Sequence, residues 1–176
     1  MPADMKEAIA EAAMRLLTEK NTKKLTVKDI VEECHITRQA FYYHFEDIPA
    51  LFRWMLEKGT QTHLEKLRLV DDPEQRLRQF FLMAVQVSPY IKKGLQSNYG
   101  TELEQLLTQY LYRLFEQIID QEGLFQSCTR QQISFLLRYH THAIMGLFRE
   151  WTDNDTKNLD QIIHLTHLLA TGEITL

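Results

Sequence analysis

The sequence is poor in residues that interrupt or cross-link a chain. It has six glycines, four prolines and two cysteines in 176 residues. Few glycines and prolines leave few breaks, so long helices are expected. The two cysteines, Cys34 and Cys128, have neither the spacing of a disulfide framework nor that of a zinc site. Because Cys34 lies on an apolar stripe, we expect it to be a buried free thiol.

The sequence also lacks long apolar runs and catalytic signatures. No uninterrupted apolar run approaches membrane-spanning length, and residues 1–20 carry charges throughout, unlike a signal peptide. A cytoplasmic protein without membrane contact is therefore expected. No nucleophile motif, glycine-rich phosphate loop or Walker pattern occurs, so we predict no enzymatic activity, no catalytic residues, no cofactor and no metal site.

Charge is close to balanced, with 20 basic and 24 acidic residues and a net charge of −4. This balance argues against a nonspecific coat on nucleic acid, but it permits a local face for DNA. Hydrophobic residues make up 44% and charged residues 25% of the chain, which is ordinary for a globular protein with a substantial core.

Residues 26–45 carry the most informative pattern, TVKDIVEECHITRQAFYYHF. Apolar residues recur at i, i+3, i+4 and i+7 from Val27, which predicts a short amphipathic helix. Thr26 followed by Asp29 is a capping-box pattern for its start. The period then breaks, and Thr37 is a candidate cap for a second helix.

The second helix is predicted to have two unlike faces. The side expected to face inward comprises Ala40, Phe41, His44 and Phe45. The side expected to face outward comprises Arg38, Gln39, Tyr42 and Tyr43. Arginine pairs with guanine, glutamine pairs with adenine, and tyrosine hydroxyls reach phosphate oxygens. Two short helices of this kind fit a helix-turn-helix, and the alternative is a plain helical hairpin with a polar surface.

Lysines lie just before the first of these two helices, at positions 20, 23 and 24, and inside it at position 28. Beside a helix that reads DNA, we interpret them as phosphate contacts, and the alternative is a solvated lysine cluster. Glu32 and Glu33 should then point away from the DNA.

The run I-x-x-x-C-x-I-T-x-x-x-F-Y-Y-H-F-x-D, from Ile30 to Asp47, resembles the DNA-binding signature of the TetR family of bacterial transcriptional regulators. The resemblance implies an all-α fold with a three-helix helix-turn-helix head and a helical ligand-binding and dimerisation body. We place the DNA-binding domain at residues 1–47 and the body at residues 48–176. The residues expected to meet DNA are Thr26, Lys28, Thr37, Arg38, Gln39, Tyr42, Tyr43 and His44.

Two positions depart from the family pattern. His35 stands where the family usually has glycine, which implies a backbone with positive φ that histidine tolerates at some strain. Ile48 stands where a lysine is common, so one phosphate contact per subunit would be missing. The HF-x-DI form with Trp54 is similar to a subgroup that includes an activator of a dihydroxyacetone kinase operon.

Five further helices are expected in the body, with room for one short helix between Pro89 and Ser97. The first runs to about residue 70, and the next runs from 73 to about 87, where Ser88-Pro89 should break it. Long helices should follow over about 101–121 and 129–152, and a last one should end near 172.

The resemblance implies a small-molecule pocket among the helices between the head and the dimer interface. Apolar and aromatic side chains that would suit it are Phe80, Met83, Val87, Tyr110, Leu114, Phe135 and Tyr139. The alternative is a filled core, in which these residues line no cavity.

The last two helices are apolar on more than one face, which indicates burial in a core or between subunits. Family members dimerise through these two helices as a four-helix bundle. Residues expected at that interface are Ile144, Leu147, Phe148, Trp151, Ile162, Leu165 and Leu169.

The resemblance therefore predicts a ligand-responsive regulator that represses by binding double-stranded operator DNA with an inverted repeat, as a homodimer. Its effector would be an unidentified small-molecule inducer. The alternative is a transcriptional activator or interaction protein that a protein partner controls.

Overall fold

A computed structural model describes residues 5–20, 22–67 and 70–171 of the chain. Across these ranges the regular structure is helical, without strands. The helices are α1 (Met5–Thr18), α2 (Val27–Cys34), α3 (Arg38–His44), α4 (Ile48–Leu67), α5 (Pro73–Leu95), α6 (Gly100–Glu122), α7 (Arg130–Arg149), α8 (Asp153–Lys157) and α9 (Leu159–Thr171). The predicted all-α fold class, with a helix-turn-helix head and a helical body, is confirmed.

Both predicted caps of the helix-turn-helix are present. The Thr26 hydroxyl accepts the Asp29 N–H at 3.2 Å, and the Asp29 carboxylate accepts the Thr26 N–H at 3.0 Å. At the start of α3, the Thr37 hydroxyl accepts the Ala40 N–H at 3.1 Å. Each cap satisfies a backbone N–H that has no partner inside its own helix, so local sequence fixes where both helices begin.

The turn between α2 and α3 passes through a left-handed residue. His35 has φ 55° and ψ 41°, as its place in the pattern predicts. Its N–H donates to the Glu32 carbonyl at 3.3 Å, and the next N–H, from Ile36, donates to the Val31 carbonyl at 3.0 Å. These bonds close the end of α2 in the manner of a Schellman motif and redirect the chain into α3.

Cys34 ends α2 against α1. It is half-buried, and its thiol donates to the Ala8 carbonyl at 3.5 Å. Burial raises the pKa of this thiol, so it stays protonated and weakly nucleophilic. The thiol is free, as predicted, but half-buried and not fully buried.

A first hydrophobic cluster joins the helix-turn-helix to the body. Ile48 is only 1% exposed within it, so the side chain at the position where a lysine is common packs in the core. Each large, fully buried side chain of this cluster is expected to stabilise the fold by about 1.5–3 kcal/mol, because its apolar surface is removed from water. The cluster is built from Ile9, Ala10, Ala12, Ala13, Leu16, Leu17, Leu25, Ile30, Val31, Phe41, Phe45, Ile48, Leu51, Phe52, Leu103 and Leu107.

The expected break at Ser88-Pro89 was wrong. The fifth helix continues through Pro89 to Leu95 without interruption. Pro89 is exposed, whereas Ile91 and Leu95, further along the helix, pack against the first cluster. Packing on both sides of the proline therefore outweighs the single backbone hydrogen bond that it removes.

A second hydrophobic cluster fills the body, with its aromatic rings in contact. The Phe81 and Phe148 ring centroids lie 5.7 Å apart, and those of Phe148 and Trp151 lie 5.4 Å apart. The Trp151 indole N–H donates to the Thr156 hydroxyl at 2.9 Å, so the buried ring keeps a polar partner. The fully buried members of the cluster are Phe80, Phe81, Leu111, Leu114, Ile144, Trp151 and Ile163.

The sixth helix connects the two clusters. Leu103 and Leu107 in its first half belong to the cluster that holds the head, and Leu111 and Leu114 belong to the body cluster. Among the described residues, no other helix gives buried side chains to both. A displacement of α6 must therefore disturb the packing of the head and of the body together.

The described residues contain neither a membrane-spanning helix nor a cluster of metal ligands. No helix there is long and apolar enough to cross a membrane. No three histidine, cysteine, aspartate or glutamate side chains in the same ranges converge as metal ligands would.

Candidate functional site

The third helix presents the polar and aromatic face that the sequence predicts. Phe41 is fully buried, whereas Arg38 and Gln39 on the other side are exposed. Tyr42 is 57% exposed and Tyr43 is 85% exposed. Two adjacent tyrosines so accessible on a short helix form a surface suited to stacking on, or hydrogen bonding with, a partner.

The buried side of α3 holds this surface in place. The Phe41 ring meets the edge of the Tyr42 ring at 5.5 Å and the tilted Phe45 ring at 6.0 Å. Phe45 in turn meets the Trp54 ring of α4 at 5.8 Å. The orientation of the exposed side chains therefore depends on a packed aromatic row that reaches the body.

Arg38 makes no ion pair or hydrogen bond with any described residue. Its guanidinium is therefore available for a bidentate contact, and the neighbouring Gln39 amide offers a donor and an acceptor. His44 lies at the margin of the face, half-buried, with its ring 5.1 Å from that of Tyr43. This geometry can bind base edges through α3 and phosphates around it.

The two capping threonines differ in what they can still bind. Both the N–H and the O–H of Thr26 donate to the Asp29 carboxylate, at 3.0 and 2.6 Å. Thr26 therefore has no donor left for a phosphate, and its role is to start α2. The exposed Thr37 hydroxyl only accepts, from Ala40, so its own proton can point to a phosphate oxygen.

The lysine cluster is smaller than the sequence suggests. Lys20 lies 2.5 Å from the Glu33 carboxylate, which Arg15 also contacts at 3.3 Å. Glu33 thus points back toward α1, as expected, and it neutralises Lys20. Lys28 is exposed, 3.7 Å from Glu32 on the next turn, and Lys23 and Lys24 are exposed beside it. These last three lysines remain as candidate phosphate contacts.

The Glu33 ion pairs predict an acid-sensitive contribution to stability. Hydrogen bonds from Lys20 and Arg15 lower the pKa of the Glu33 carboxyl below its usual 4.5. Because the folded pKa is the lower one, the contribution is complete above the unfolded pKa and is lost as pH falls through the folded value. Glu33→Gln should therefore lower the free energy of unfolding at pH 7, and the deficit should shrink towards pH 3.

Denaturant unfolding at pH 7, 5 and 3 measures this difference. The matched control is Glu46→Gln, which removes an exposed carboxylate that makes no ion pair with described residues. A Glu33→Gln deficit as large at pH 3 as at pH 7 would refute the ion-pair explanation.

The apolar set predicted for a ligand pocket is dispersed. Phe80 and Leu114 are buried in the second cluster, and Met83 and Tyr110 pack against it. Val87 is exposed, and Phe135 and Tyr139 are each 60% exposed. A single protomer therefore does not bring these seven residues around one cavity. A cavity of about 230 Å³ instead lies between α6 and α7, among mostly polar side chains.

The set predicted for the dimer interface also divides. Ile144 and Trp151 are buried in the protomer's own core, and Phe148 and Ile162 pack against that core. Only Leu147, Leu165 and Leu169 are exposed. Phe135 and Tyr139 on α7 carry further exposed rings. We define the apolar strip as Phe135, Tyr139, Leu147, Leu165 and Leu169.

One connection has no local sequence signal. The side-chain amide of Asn98 donates to the Leu25 carbonyl at 3.2 Å and accepts the Leu25 N–H at 2.8 Å. The Asn98 N–H also donates to the Lys23 carbonyl at 3.0 Å. The turn between α5 and α6 therefore holds the link that leads into α2, across more than seventy residues of sequence.

Comparison with known proteins agrees with this architecture. Residues 9–55 match the family described as bacterial regulatory proteins, tetR family, and residues 71–172 match a transcriptional regulator C-terminal region. The probable acrEF/envCD operon repressor of Escherichia coli K12 is 29% identical over 136 residues, which is 74% of this chain and 56% of that protein. The chain thus spans a little over half the length of the curated relative it matches.

Two solved structures share the fold. The dihydroxyacetone kinase operon activator DhaS has a TM-score of 0.60 at 20% identity, over 96% of this chain and 95% of its own. The second is NalD, the secondary repressor of the MexAB-OprM multidrug efflux pump in Pseudomonas aeruginosa. It has a TM-score of 0.52 at 21% identity, over 90% of this chain and 93% of the NalD chain. At such identities the likeness concerns the fold alone. The match of both regions identifies this chain as a member of the TetR family of bacterial transcriptional regulators.

Proposed function

We propose that this regulator is a homodimeric repressor that binds an inverted-repeat operator through α3. The observation that carries the proposal is the exposed face of α3, where Arg38, Gln39, Tyr42 and Tyr43 lie opposite the buried Phe41. Arg38 and Gln39 would contact base edges, and the tyrosine hydroxyls would contact phosphates or bases.

Contacts to the DNA backbone would surround this face. Lys28, Thr37 and the exposed Lys23 and Lys24 would engage phosphates, with His44 at the margin. Thr26 would act indirectly, by fixing the start of α2. Because Ile48 is buried, the lysine contact implied by the family pattern would be absent at that position.

The apolar strip supports a dimer through α7 and α9. Exposed leucines and aromatic rings on the last two long helices are costly in water and favour a self-complementary contact. A two-fold dimer would present two α3 helices to successive major grooves, about 34–36 Å apart on B-form DNA. Such an arrangement accounts for an operator with inverted symmetry.

A small-molecule inducer would act on the spacing of the two heads. We divide the chain into a head, 1–47, and a body, 48–176, with α4 as the lever between them. The ligand can release DNA only through its different affinity for the two head spacings, typically about 1–3 kcal/mol. This role places the protein in the cytoplasm with the DNA it binds.

Repression is supported by the name of one similar protein, the probable acrEF/envCD operon repressor. The likeness to DhaS, an operon activator, concerns fold alone and does not set the direction of regulation. The footprinting experiment below therefore includes a result that would support activation controlled by a protein partner.

Footprinting on the DNA that flanks the protein's own gene tests the proposal, with and without a cell metabolite extract. We expect a protected inverted repeat whose protection is lost when extract is added. Protection that persists in every small-molecule fraction would support the protein-partner alternative. The Arg38→Ala variant should lose protection, and absence of protection by the wild type on those fragments would contradict the proposal.

A further inference from the structure

The cavity between α6 and α7 is an open cleft whose lining includes two arginines. Its volume is about 230 Å³, suited to a small metabolite. It lies apart from the aromatic interior of the body, and the side chains that matter for its chemistry are Thr108, Tyr112 and Arg113 of α6 and Arg138, Thr141 and His142 of α7.

Two guanidinium groups face this cavity without a counter-charge. None of the described residues that line it is an aspartate or glutamate. Arg113 and Arg138 are exposed, and neither makes an ion pair or hydrogen bond with any described residue. By contrast, Arg15, Arg78 and Arg149 each contact a carboxylate. Two unpaired arginines on opposite walls are what a carboxylate or phosphate group needs for charge-assisted hydrogen bonds.

A buried hydroxyl on the same wall supplies an independent observation. Thr141 is 1% exposed, and its Oγ1 has no hydrogen-bond partner among the described residues. Buried polar groups are nearly always paired, and an unpaired one destabilises the fold. A valine would have the same shape here without that cost. Because water cannot reach the Oγ1 atom in this structure, a bound molecule becomes its partner only if the walls of the cavity shift.

The cavity lies at a part of α6 through which ligand binding can displace the head. Thr108, Tyr112 and Arg113 lie on the segment where α6 passes from the first hydrophobic cluster to the second. Leu107, before that segment, is buried in the first cluster, and Leu114, after it, is buried in the second. A ligand that draws α6 and α7 together would therefore move a helix packed against α4 and the head.

We propose that the cavity between α6 and α7 binds a small organic anion, with its carboxylate or phosphate group held between Arg113 and Arg138. The organic part would pack on Tyr112, and a polar atom of the ligand would pair with the Thr141 hydroxyl. This anion is the effector of the regulator, an assignment that rests on the proposed function.

Titration calorimetry at constant ionic strength tests the site without DNA. Benzoate carries a carboxylate on a phenyl ring, and phenyl phosphate carries a phosphate on the same kind of ring. Benzyl alcohol is the neutral control. We expect saturable binding of at least one oxyanion, one per chain, and none of the alcohol. The better-bound probe shows whether the site prefers a carboxylate or a phosphate.

Matched variants identify the cavity. Arg113→Gln and Arg138→Gln should each weaken binding about 10- to 100-fold, the usual effect of losing a hydrogen bond between charged groups. Arg130→Gln makes the same charge change on α7 outside the cavity and should bind as the wild type does. Thr141→Val should weaken binding while raising the melting temperature. Absence of saturable binding, or equal losses in Arg130→Gln, would overturn the assignment.

Fluorescence anisotropy on operator DNA separates this inference from the proposed function. A saturating oxyanion should change DNA affinity about 5- to 150-fold, the range of ordinary coupling, and Arg113→Gln should abolish the change. A protein that binds the oxyanion but no DNA would refute the proposed function and leave the site standing. A protein that binds DNA but neither oxyanion would refute the site alone.

Discussion

Phe41→Ala is expected to lower the free energy of unfolding by about 3–5 kcal/mol, as truncation of a large buried aromatic commonly does. Phe41 is fully buried, and its ring meets those of Tyr42 and Phe45. The cavity left behind would open at the centre of the head, where α1, α2 and α3 meet. Affinity for the operator should also fall, because α3 loses the packing that orients its exposed face.

Tyr43→Ala is the matched control, one aromatic truncation on the opposite side of the same helix. With 85% of its side chain exposed, its loss should change stability by less than about 0.5 kcal/mol. Operator affinity should still fall, by about 1–3 kcal/mol, if Tyr43 contacts DNA. Tyr42→Ala should lie between the two, since its edge contact with Phe41 is typically worth about 0.5–1.5 kcal/mol.

Denaturant unfolding and anisotropy on the footprinted operator measure these two quantities separately. If Tyr43→Ala unfolds the head, the assignment of the exposed face is wrong. If Tyr43→Ala binds DNA as the wild type does, Tyr43 belongs to a solvated surface and the DNA contact is confined to Arg38 and Gln39.

Leu147→Glu is expected to raise the dimer dissociation constant about 100-fold or more. Leu147 lies on the apolar strip, and a two-fold axis would bring one new carboxylate from each subunit into the interface. An unpaired charge buried there costs several kcal/mol, and every 1.4 kcal/mol is a factor of ten. Operator affinity should drop as well, because a lone head contacts only one half-site.

Sedimentation velocity over a range of concentrations measures the dimer, and circular dichroism checks the fold. Leu82→Glu is the control, since Leu82 is similarly exposed, on α5, outside the strip. It should leave the dimer intact. A dimer that survives Leu147→Glu, or that is lost equally in Leu82→Glu, would rule out the strip as the interface.

The Ile144→Ala variant should destabilise the protomer and leave the dimer contact itself in place, although Ile144 is only three residues from Leu147. Its side chain is buried in the second cluster, so the expected loss is about 2–5 kcal/mol of protomer stability. The two neighbouring positions on α7 thus distinguish the protomer core from the surface that a partner would cover.

The helix-turn-helix follows from local sequence. The threonine caps, the apolar period of α2 and the left-handed turn at His35 all act between residues a few positions apart. Their geometry is therefore encoded locally and was predicted at residue level. The opposite faces of α3 follow in the same way, because a seven-residue helix next to one core has a single side to bury.

Which of several apolar faces meets the core depends on long-range packing. On α7, Ile144 and Leu147 are equally apolar and both fit helical spacing, yet one is buried and the other exposed. Periodicity reveals that a face is apolar but does not reveal which neighbour covers it. The same limit explains why α5 continues past Pro89, since the packing of Ile91 and Leu95 on the head is a long-range contact.

The connection from Asn98 to Leu25 and the arginine-lined cavity also depend on tertiary structure. Both join residues that are far apart in sequence or on different helices, and no local pattern in the sequence links one partner to the other. Local propensity and spacing determine where helices start, turn and stop. Which polar groups meet between those helices is determined by how the two hydrophobic clusters pack, because close packing fixes the helix positions that bring them together.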